Sequence, residues 1–401
     1  MDYDFTSVMD RRGKDALAVD GLGKIPMAPL PPREGFDVIP MWVADMNFPT
    51  APGVIEALRQ RIDHPAFGYF MPREEYHGAI IRWQESRNAV TGLEPRHIGY
   101  ENGVLGGVIS ALNAVCSRGD RVLLHSPTYI GFTGSLENNG YRIVHSPLRL
   151  DEEGIWRMDL EDMDRKLRDN HIRATIFCSP HNPCGRVWER WELEEAMDLF
   201  RKHDVTVISD EIWSDILLHG HRHIPLQSVS EDARQRTVAL YAPSKTFNLA
   251  GLVGSYHIIY NDRLRERIDK ESSLSHYNSM NVLSMHALIG AYSPEGAEWV
   301  DQLCAVLSGN ASLACDKLRS FPGVSVSAPQ GTYMLFPDCG EWCRTRGMTL
   351  RQLEEACWKV GVAVQDGAMF HGRDNLRLNL ALPRSRVEEA MDRLDRYVFN
   401  A

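Results

Sequence analysis

Apolar residues occur in four short, unbroken runs through the middle of the chain, and a polar cluster follows each run. The runs lie at residues 122–124, 174–178, 205–208 and 238–242. Runs of this kind are typical of strands that are buried on both faces of a sheet. Helical spacing between them, as at residues 191–202, predicts an α/β fold with a largely parallel sheet.

The polar clusters begin directly after these runs, at residues 126–129, 181–185, 210–211 and 244–251. In open α/β sheets the ligand crevice lies outside the carboxyl ends of the strands. The four clusters are therefore predicted to converge on one ligand site.

Lys245 is the most informative residue in these clusters. It follows the run at 238–242, which Pro243 ends, so the lysine is delivered at a strand end. As a neutral amine, a buried lysine can condense with an aldehyde. The alternative is a surface lysine in a polar turn.

The rest of the chain completes a two-domain pattern, as its 401 residues suggest. Helical spacing covers residues 52–61, 73–88 and 264–307, the last with a break at Ser293-Pro294. A compact α+β unit follows, with its predicted elements at 324–326, 332–336, 350–360, 362–364, 376–380 and 386–397. We predict a large domain at 49–289 and a small domain at 290–401, which the N-terminal arm at 1–48 joins.

Glycines precede a predicted helix that runs through Ala114. Gly103, Gly106 and Gly107 would let backbone N–H groups approach an anion at the helix start. Their spacing does not match the GxGxxG dinucleotide fingerprint, and no strong strand is predicted before them. A single phosphate is the better fit.

Charge and composition exclude several classes of function. The formal net charge of −10, without a Lys/Arg block, argues against nucleic acid as a partner. No apolar run is long enough to span a membrane, and the first twenty residues lack the apolar core of a signal peptide. We expect a soluble cytoplasmic protein whose eight cysteines are reduced.

A metal site is considered at His219, His221 and His223, which alternate as ligands on one strand face would. No matching cysteine or carboxylate set accompanies them, and Gly220 and Pro225 indicate a loop. We therefore predict no metal.

The motifs together resemble those of the pyridoxal-phosphate enzymes in the class I/II aminotransferase superfamily. They are Ser-Pro-Thr-Tyr at 126–129, His-Asn-Pro-Cys-Gly at 181–185, Ser-Asp-Glu-Ile-Trp at 209–213, residues 244–251 and Arg377. Pro-Met-Trp-Val-Ala-Asp-Met at 40–46 is similar to the cystathionine β-lyase branch, the MalY/PatB type of C–S lyase. The resemblance implies the PLP-dependent transferase fold (fold type I) and pyridoxal 5'-phosphate as cofactor.

The resemblance also implies roles around the cofactor ring. Lys245 would bind the aldehyde, and Asp210 would pair with the protonated ring nitrogen. Tyr129 would stack on the ring, and Asn182 would contact its hydroxyl. The residues alone leave alternatives open: a helix cap for Asp210, core packing for Tyr129 and a turn for Asn182.

Phosphate and substrate contacts follow from the same resemblance. The backbone of Gly103, Val104 and Leu105, the Ser244 hydroxyl and Tyr69 of a neighbouring subunit would hold the phosphate, which implies a homodimer. Arg377 would bind the carboxylate of an amino-acid substrate through two parallel hydrogen bonds, with a structural salt bridge as the alternative. Trp42 is placed beside the substrate pocket.

Three positions depart from the family pattern. Asn47 replaces the second aspartate of Asp-Met-Asp-Phe, and Trp213 replaces a tyrosine that contacts the ring hydroxyl. Val253 replaces an arginine that clamps the phosphate in many aminotransferases.

On this resemblance we expect β-elimination on a sulfur amino acid such as cystathionine or a cysteine conjugate, giving a thiol, pyruvate and ammonia. The first alternative is an aminotransferase. A cofactor-bound regulatory protein that contacts other proteins, and a nicotinamide dehydrogenase, are the less favoured hypotheses.

Overall fold

The computed structural model describes residues 2–273 and 278–400. Within them, a seven-stranded sheet forms the centre, and three small sheets accompany it. The strands are β1 (Ile39–Pro40), β2 (Ile98–Glu101), β3 (Arg121–Ser126), β4 (Arg142–Pro147), β5 (Arg149–Leu150), β6 (Trp156–Arg157), β7 (Ala174–Cys178), β8 (Thr206–Asp210), β9 (Thr237–Tyr241), β10 (Ser255–Ile258), β11 (Met334–Leu335), β12 (Val362–Ala363), β13 (Gln365–Asp366) and β14 (Leu376–Asn379).

Helices cover both faces of the central sheet and build most of the remaining structure. They are α1 (Leu17–Asp20), α2 (Pro52–Ile62), α3 (Glu74–Asn88), α4 (Val104–Val115), α5 (Ile130–Asn138), α6 (Leu160–Asp169), α7 (Arg190–Lys202), α8 (Glu231–Arg236), α9 (Pro243–Thr246), α10 (Asp262–Ser273), α11 (Val282–Ala291), α12 (Pro294–Arg319), α13 (Gly340–Thr345), α14 (Leu350–Lys359) and α15 (Arg384–Leu394). A π-helical turn, Asp395–Phe399, follows α15.

The central sheet has the strand order β2-β10-β9-β8-β7-β3-β4. Strands β9, β8, β7, β3 and β4 are parallel to one another, and β10 is antiparallel to both of its neighbours. The α/β class and the mostly parallel sheet predicted from the apolar runs are confirmed.

Side chains alternate between two apolar layers along the central strands, which explains why the runs are continuously apolar. On β3, Val122 and Leu124 pack with α4 and α5, whereas Leu123 faces the opposite side with α6 and α7. On β7, Ile176 and Phe177 divide in the same way. A strand that is covered on both faces has no side left for polar residues.

The C-terminal part forms its own small sheet, in the order β11-β14-β13. The N-terminal segment joins this part, because β1 pairs in parallel with β12, with Ile39 opposite Val362. The domain division at residues 1–48, 49–289 and 290–401 stays a prediction.

Three elements differ from the expectations. Strand β2 ends at Glu101, directly before the Gly103 turn, where no strong strand was predicted; its sequence Ile-Gly-Tyr-Glu holds a single aliphatic residue, and sheet pairing with β10 overrides that weak propensity. The helix predicted over 264–307 is divided into α10, α11 and α12, and residues 274–277 of that prediction lie outside the described residues. The predicted strand at 324–326 is only an isolated bridge, between Ser325 and Asp338.

No helix among the described residues is both long enough and apolar enough to cross a membrane.

Candidate active site

The predicted polar clusters lie at one edge of the central sheet, because β3, β7, β8 and β9 are parallel neighbours. Asp210 is the last residue of β8. Lys245 lies in α9, the single helical turn that Pro243 begins after β9. The edge therefore holds an amine and a carboxylate from adjacent strands.

Lys245 is held as a candidate nucleophile. Its Nζ donates to the Ala44 carbonyl at 2.9 Å and lies 5.7 Å from the centre of the Trp213 ring. Burial, and then the charge of Arg377, lower the pKa of Lys245 to about 8, against the opposing charges of Asp45 and Asp210. A substantial fraction of this amine is therefore neutral near physiological pH.

Asp210 is a buried carboxylate that lacks a close cation among the described residues. Its Oδ1 accepts the backbone N–H of Ile212 at 3.0 Å in a local turn, and no helix begins at Asp210, so the helix cap that the residues left open is not formed. Burial raises the pKa of Asp210 to about 7, although the Ile212 N–H and Lys245 oppose the shift. A ligand cation placed at this carboxylate would be stabilised strongly.

Glu211 anchors the turn that carries Asp210. Its two carboxylate oxygens accept hydrogen bonds from Ser209 Oγ at 2.9 Å and from Tyr241 Oη at 2.6 Å, and lie 2.7 Å from His223 Nε2. His223 is thus part of a buried network, whereas His219 and His221 are exposed. The alternating spacing of the three histidines in the sequence did not predict that His223 would be buried while His219 and His221 are exposed.

Tyr129 lies just after β3, with its ring edge-to-face against Phe132 at 5.4 Å. A Cβ at Gly131 would lie 2.3 Å from this ring, so only glycine leaves room for it. The preceding Thr128 donates its N–H to the Phe370 carbonyl at 2.7 Å. The tyrosine loop is therefore tied to the C-terminal part of the chain.

Asn182 is buried after β7, and its side-chain oxygen has no hydrogen-bond partner among the described residues. Buried polar atoms in native proteins nearly always have a partner. This oxygen is suited to accept a hydrogen bond from a ligand hydroxyl.

The start of α4 is a candidate anion site. Gly103 caps the helix with φ of 80°, a conformation that favours glycine, and the first N–H groups of the helix, from Val104 and Leu105 onward, have no intrahelical partner. Asn278 braces this turn by accepting the Asn102 N–H at 2.7 Å. Ser244, on the short α9, is partly exposed, and its backbone carbonyl accepts the N–H of Leu249.

Val253 approaches the same turn, with Cγ1 4.0 Å from the Cβ position of Gly103. Tyr100 Oη donates to the Val253 carbonyl at 2.9 Å. An aliphatic side chain therefore occupies the position where a phosphate-clamping arginine is found in many aminotransferases.

Arg377 is buried on β14, and no carboxylate pairs with it in the part of the chain that the structure describes. Its Nη2 donates to the Trp42 carbonyl at 2.8 Å and to Gln365, and its guanidinium lies 4.2 Å above the Phe370 ring. Nε and Nη1 are buried and have no hydrogen-bond partner among the described residues, and burial lowers the pKa of Arg377 to about 10. The salt bridge left open by the sequence is thus not formed among the described residues.

Trp42 contributes its backbone to the site. Its indole Nε1 donates to the Ala18 carbonyl at 2.9 Å, and the ring packs in a small cluster with Ala28 and Ala363. Contact between this indole and a substrate is therefore not supported, whereas the Trp42 carbonyl holds Arg377 in place.

Residues 42–48, which we term the crossing segment, pass between β14 and the Lys245 turn. The Ala44 carbonyl accepts from Tyr333 Oη at 3.1 Å as well as from Lys245. Asn379 Nδ2 donates to the carbonyls of residues 43 and 45, and Asn248 contacts both the N–H and the carbonyl of Met46. Sequence analysis missed Asn248 and Asn379 as site residues; the available signal was that Asn248 lies within the motif at 244–251 and Asn379 lies two residues after Arg377.

Tyr69 lies in a loop between α2 and α3 and is fully exposed. Phe67 and Met71 are exposed beside it. A single chain thus does not bring Tyr69 together with the other predicted site residues.

The site fits the pyridoxal phosphate that the sequence resemblance implies. The amine of Lys245 suits the aldehyde, the carboxylate of Asp210 suits a ring cation, and the unpartnered oxygen of Asn182 suits a ring hydroxyl. The N–H groups at the start of α4, which have no intrahelical partner, suit the phosphate.

Residues 37–394 match the family model "Aminotransferase class I and II". The chain is 34% identical to cystathionine β-lyase PatB of Bacillus subtilis over 89% of this chain and 92% of that one. It is 32% identical to protein MalY of Escherichia coli over 97% of each chain.

A solved structure agrees in fold. Cystalysin from Treponema denticola, whose crystal structure contains pyridoxal 5'-phosphate, superimposes with a TM-score of 0.90 and 30% identity over 99% of each chain. The PLP-dependent transferase fold expected from the motifs is thereby confirmed.

The raised pKa of Asp210 predicts an unusual effect on stability in protein freed of bound ligands. The pKa of this carboxyl is higher in the folded state than in the unfolded state. Its contribution to folding stability is therefore fully present below pH 4 and is lost as pH rises through about 7. Asp210→Asn should therefore be more stable than the original chain at pH 8, by on the order of 2–4 kcal/mol, and about equal at pH 4.

Urea unfolding at a series of pH values measures this difference. Asp316→Asn, at an exposed carboxylate, is the matched control and should show no comparable gain. A ligand-free Asp210→Asn protein that is less stable at pH 8 would show that Asp210 is not a destabilising buried charge.

Proposed function

The chain belongs to the family of class I and class II aminotransferases, and we propose that it is a pyridoxal-phosphate-dependent carbon–sulfur lyase. It would act by β-elimination on a sulfur amino acid such as cystathionine and release a thiol, pyruvate and ammonia. The observation that carries the proposal is the buried Arg377, which has donors without a partner in the part of the chain that the structure describes and whose charge acts on the amine of Lys245. A carboxylate bound there would orient an amino acid towards that amine.

Bound pyridoxal phosphate supplies an aldehyde for the substrate amine and an aromatic ring that accepts the electrons of the Cα–H bond. Asp210 would hold the proton of the ring nitrogen, and the resulting ion pair would offset the burial cost of its carboxylate. Tyr129 would cover the ring, and Asn182 would accept the hydrogen bond of its hydroxyl. Val104, Leu105 and Ser244 would bind the phosphate.

Lys245 would move the proton. Its neutral Nζ would take the proton from the substrate Cα, as its pKa of about 8 permits near neutral pH. The Ala44 carbonyl holds the amine of Lys245, and the Trp42 carbonyl holds the guanidinium of Arg377, which would bind the substrate carboxylate.

Elimination is proposed over transamination because of the leaving group and the relatives. A thiolate departs readily, since the conjugate thiol titrates near 8.5. PatB carries the name cystathionine β-lyase, and Val253 replaces the arginine of many aminotransferases. No single residue of the site decides between the two reactions.

Product identity from L-cystathionine tests the reaction type. We expect homocysteine, pyruvate and ammonia in equal amounts, with one water consumed, and no pyruvate from Lys245→Ala. Formation of glutamate from 2-oxoglutarate without pyruvate would make the protein an aminotransferase. Absence of both reactions would favour a regulatory protein.

Arg377→Lys tests the carboxylate clamp. A lysine cannot make two parallel hydrogen bonds, so KM for the amino acid should rise about tenfold or more. Steady-state kinetics measure this, and Arg373→Lys, at an exposed position four residues earlier, is the control. An unchanged KM would assign the carboxylate to another arginine.

A homodimer completes the proposed site. The exposed Tyr69, with Phe67 and Met71 in the same loop, is available to a second chain, and its hydroxyl would reach the phosphate of the partner. Large apolar side chains exposed together are typical of a protein interface.

Subunit mixing tests this arrangement. Tyr69→Ala and Lys245→Ala should each be nearly inactive at limiting cofactor, and exchange of their subunits should restore about a quarter of the original activity. The restoration arises because half of the random dimers are mixed and each mixed dimer has one intact site. Sedimentation should give twice the 45.4 kDa chain mass. No recovery after proven exchange would place Tyr69 in its own subunit's site.

A further inference from the structure

Arg11, in the N-terminal segment, forms an ion pair with Asp45 that the proposed mechanism does not use. Its Nη1 lies 3.1 Å from Asp45 Oδ1, and its Nη2 lies 2.5 Å from Asp45 Oδ2. Nη1 also donates to Asn47 Oδ1 at 3.0 Å. Only 12% of the Arg11 side chain and 19% of the Asp45 side chain are exposed, so the pair is largely shielded from solvent.

The pair lies at the active site. Asp45 directly follows Ala44, whose carbonyl accepts from both Lys245 and Tyr333. The charge of Asp45 counters the burial that lowers the pKa of Lys245. Burial raises the pKa of Tyr333, with Asp45 acting in the same direction and Arg11 opposing it, so both charges act on a phenol next to the reacting amine.

The local charge is balanced, because residue 47 is an amide. An aspartate at this position would surround Arg11 with two carboxylates, whereas Asn47 leaves one cation and one anion. Three of the five guanidinium donors of Arg11 are used by Asp45 and Asn47, and no partner among the described residues takes the other two. The pair thus offers hydrogen-bond donors and acceptors for a ligand that carries both charges.

We propose that Arg11 and Asp45 form a subsite for the distal zwitterion of a thioether substrate, the free ammonium and carboxylate at the far end of cystathionine. Arg11 would bind the distal carboxylate, and Asp45 the distal ammonium. Binding would replace the Arg11–Asp45 ion pair with two ion pairs to the substrate, which favours substrates that carry both an ammonium and a carboxylate at the far end. This inference rests on the proposed lyase activity and names its substrate class.

The test compares two substrates that differ at the far end. L-Cystathionine carries the distal zwitterion, whereas S-methyl-L-cysteine ends in a methyl group. The measured quantity is the ratio of their kcat/KM values in the holoenzyme. Arg11→Gln should lower this ratio at least tenfold, and Arg11→Lys should lower it less because the charge is retained.

Arg12→Gln is the matched control. Arg12 is the next residue, and it forms an exposed ion pair with Asp10. This variant should leave the ratio unchanged. Asn47→Asp should lower the ratio, because the added negative charge repels the distal carboxylate.

Binding without turnover gives a second measurement. Calorimetric titration of the cofactor-loaded Lys245→Ala protein should show tighter binding of L-cystathionine than of S-methyl-L-cysteine, and addition of Arg11→Gln should remove the preference. The binding preference is expected even if the original chain forms no pyruvate from either substrate. A binding preference without pyruvate formation would reject the proposed lyase reaction and still support the subsite.

Two results would overturn the subsite. One is an equal loss of kcat/KM for both substrates in Arg11→Gln, which would show that the pair only holds the N-terminal segment. The other is an unchanged ratio in Arg11→Gln with intact folding by circular dichroism.

Discussion

The active site depends on how the backbone carbonyls of the crossing segment find hydrogen-bond donors. The segment passes between β14 and the Lys245 turn, and a carbonyl left there without a donor would cost about 1–3 kcal/mol. The donors are side chains of the site itself: Arg377, Lys245, Asn379 and Asn248. The contacts that hold the segment in the protein therefore also orient the amine and the guanidinium.

Burial at the carboxyl ends of the central strands shifts the pKa values of an amine and a carboxyl group in opposite directions. It lowers the pKa of Lys245 to about 8 and raises the pKa of Asp210 to about 7, because a low dielectric disfavours any unpaired charge. Without a ligand, the Asp210 carboxylate has no close cation among the described residues, and the Lys245 amine is readily neutral. Both properties suit a cofactor that carries a protonated ring nitrogen and an aldehyde.

Sequence patterns were sufficient for the central fold and for much of the candidate site. Continuous apolar runs identified β3, β7, β8 and β9, because strands covered on both faces have no polar alternation. Polar clusters after these runs marked the carboxyl edge, since parallel strands end at the same side. The weak strand β2 was missed because its pairing with β10, rather than its own propensity, fixes its conformation.

The sequence by itself determined the candidates for chemistry: Lys245, Asp210 and Arg377 lie in short motifs that resemble those of the family. Only the tertiary structure decided what surrounds them. The contact of Arg11 with Asp45 joins positions 34 residues apart, and the contact of Trp42 with Arg377 joins positions 335 apart. Such pairings depend on how separate elements pack, and no local pattern of apolar and polar residues records that packing.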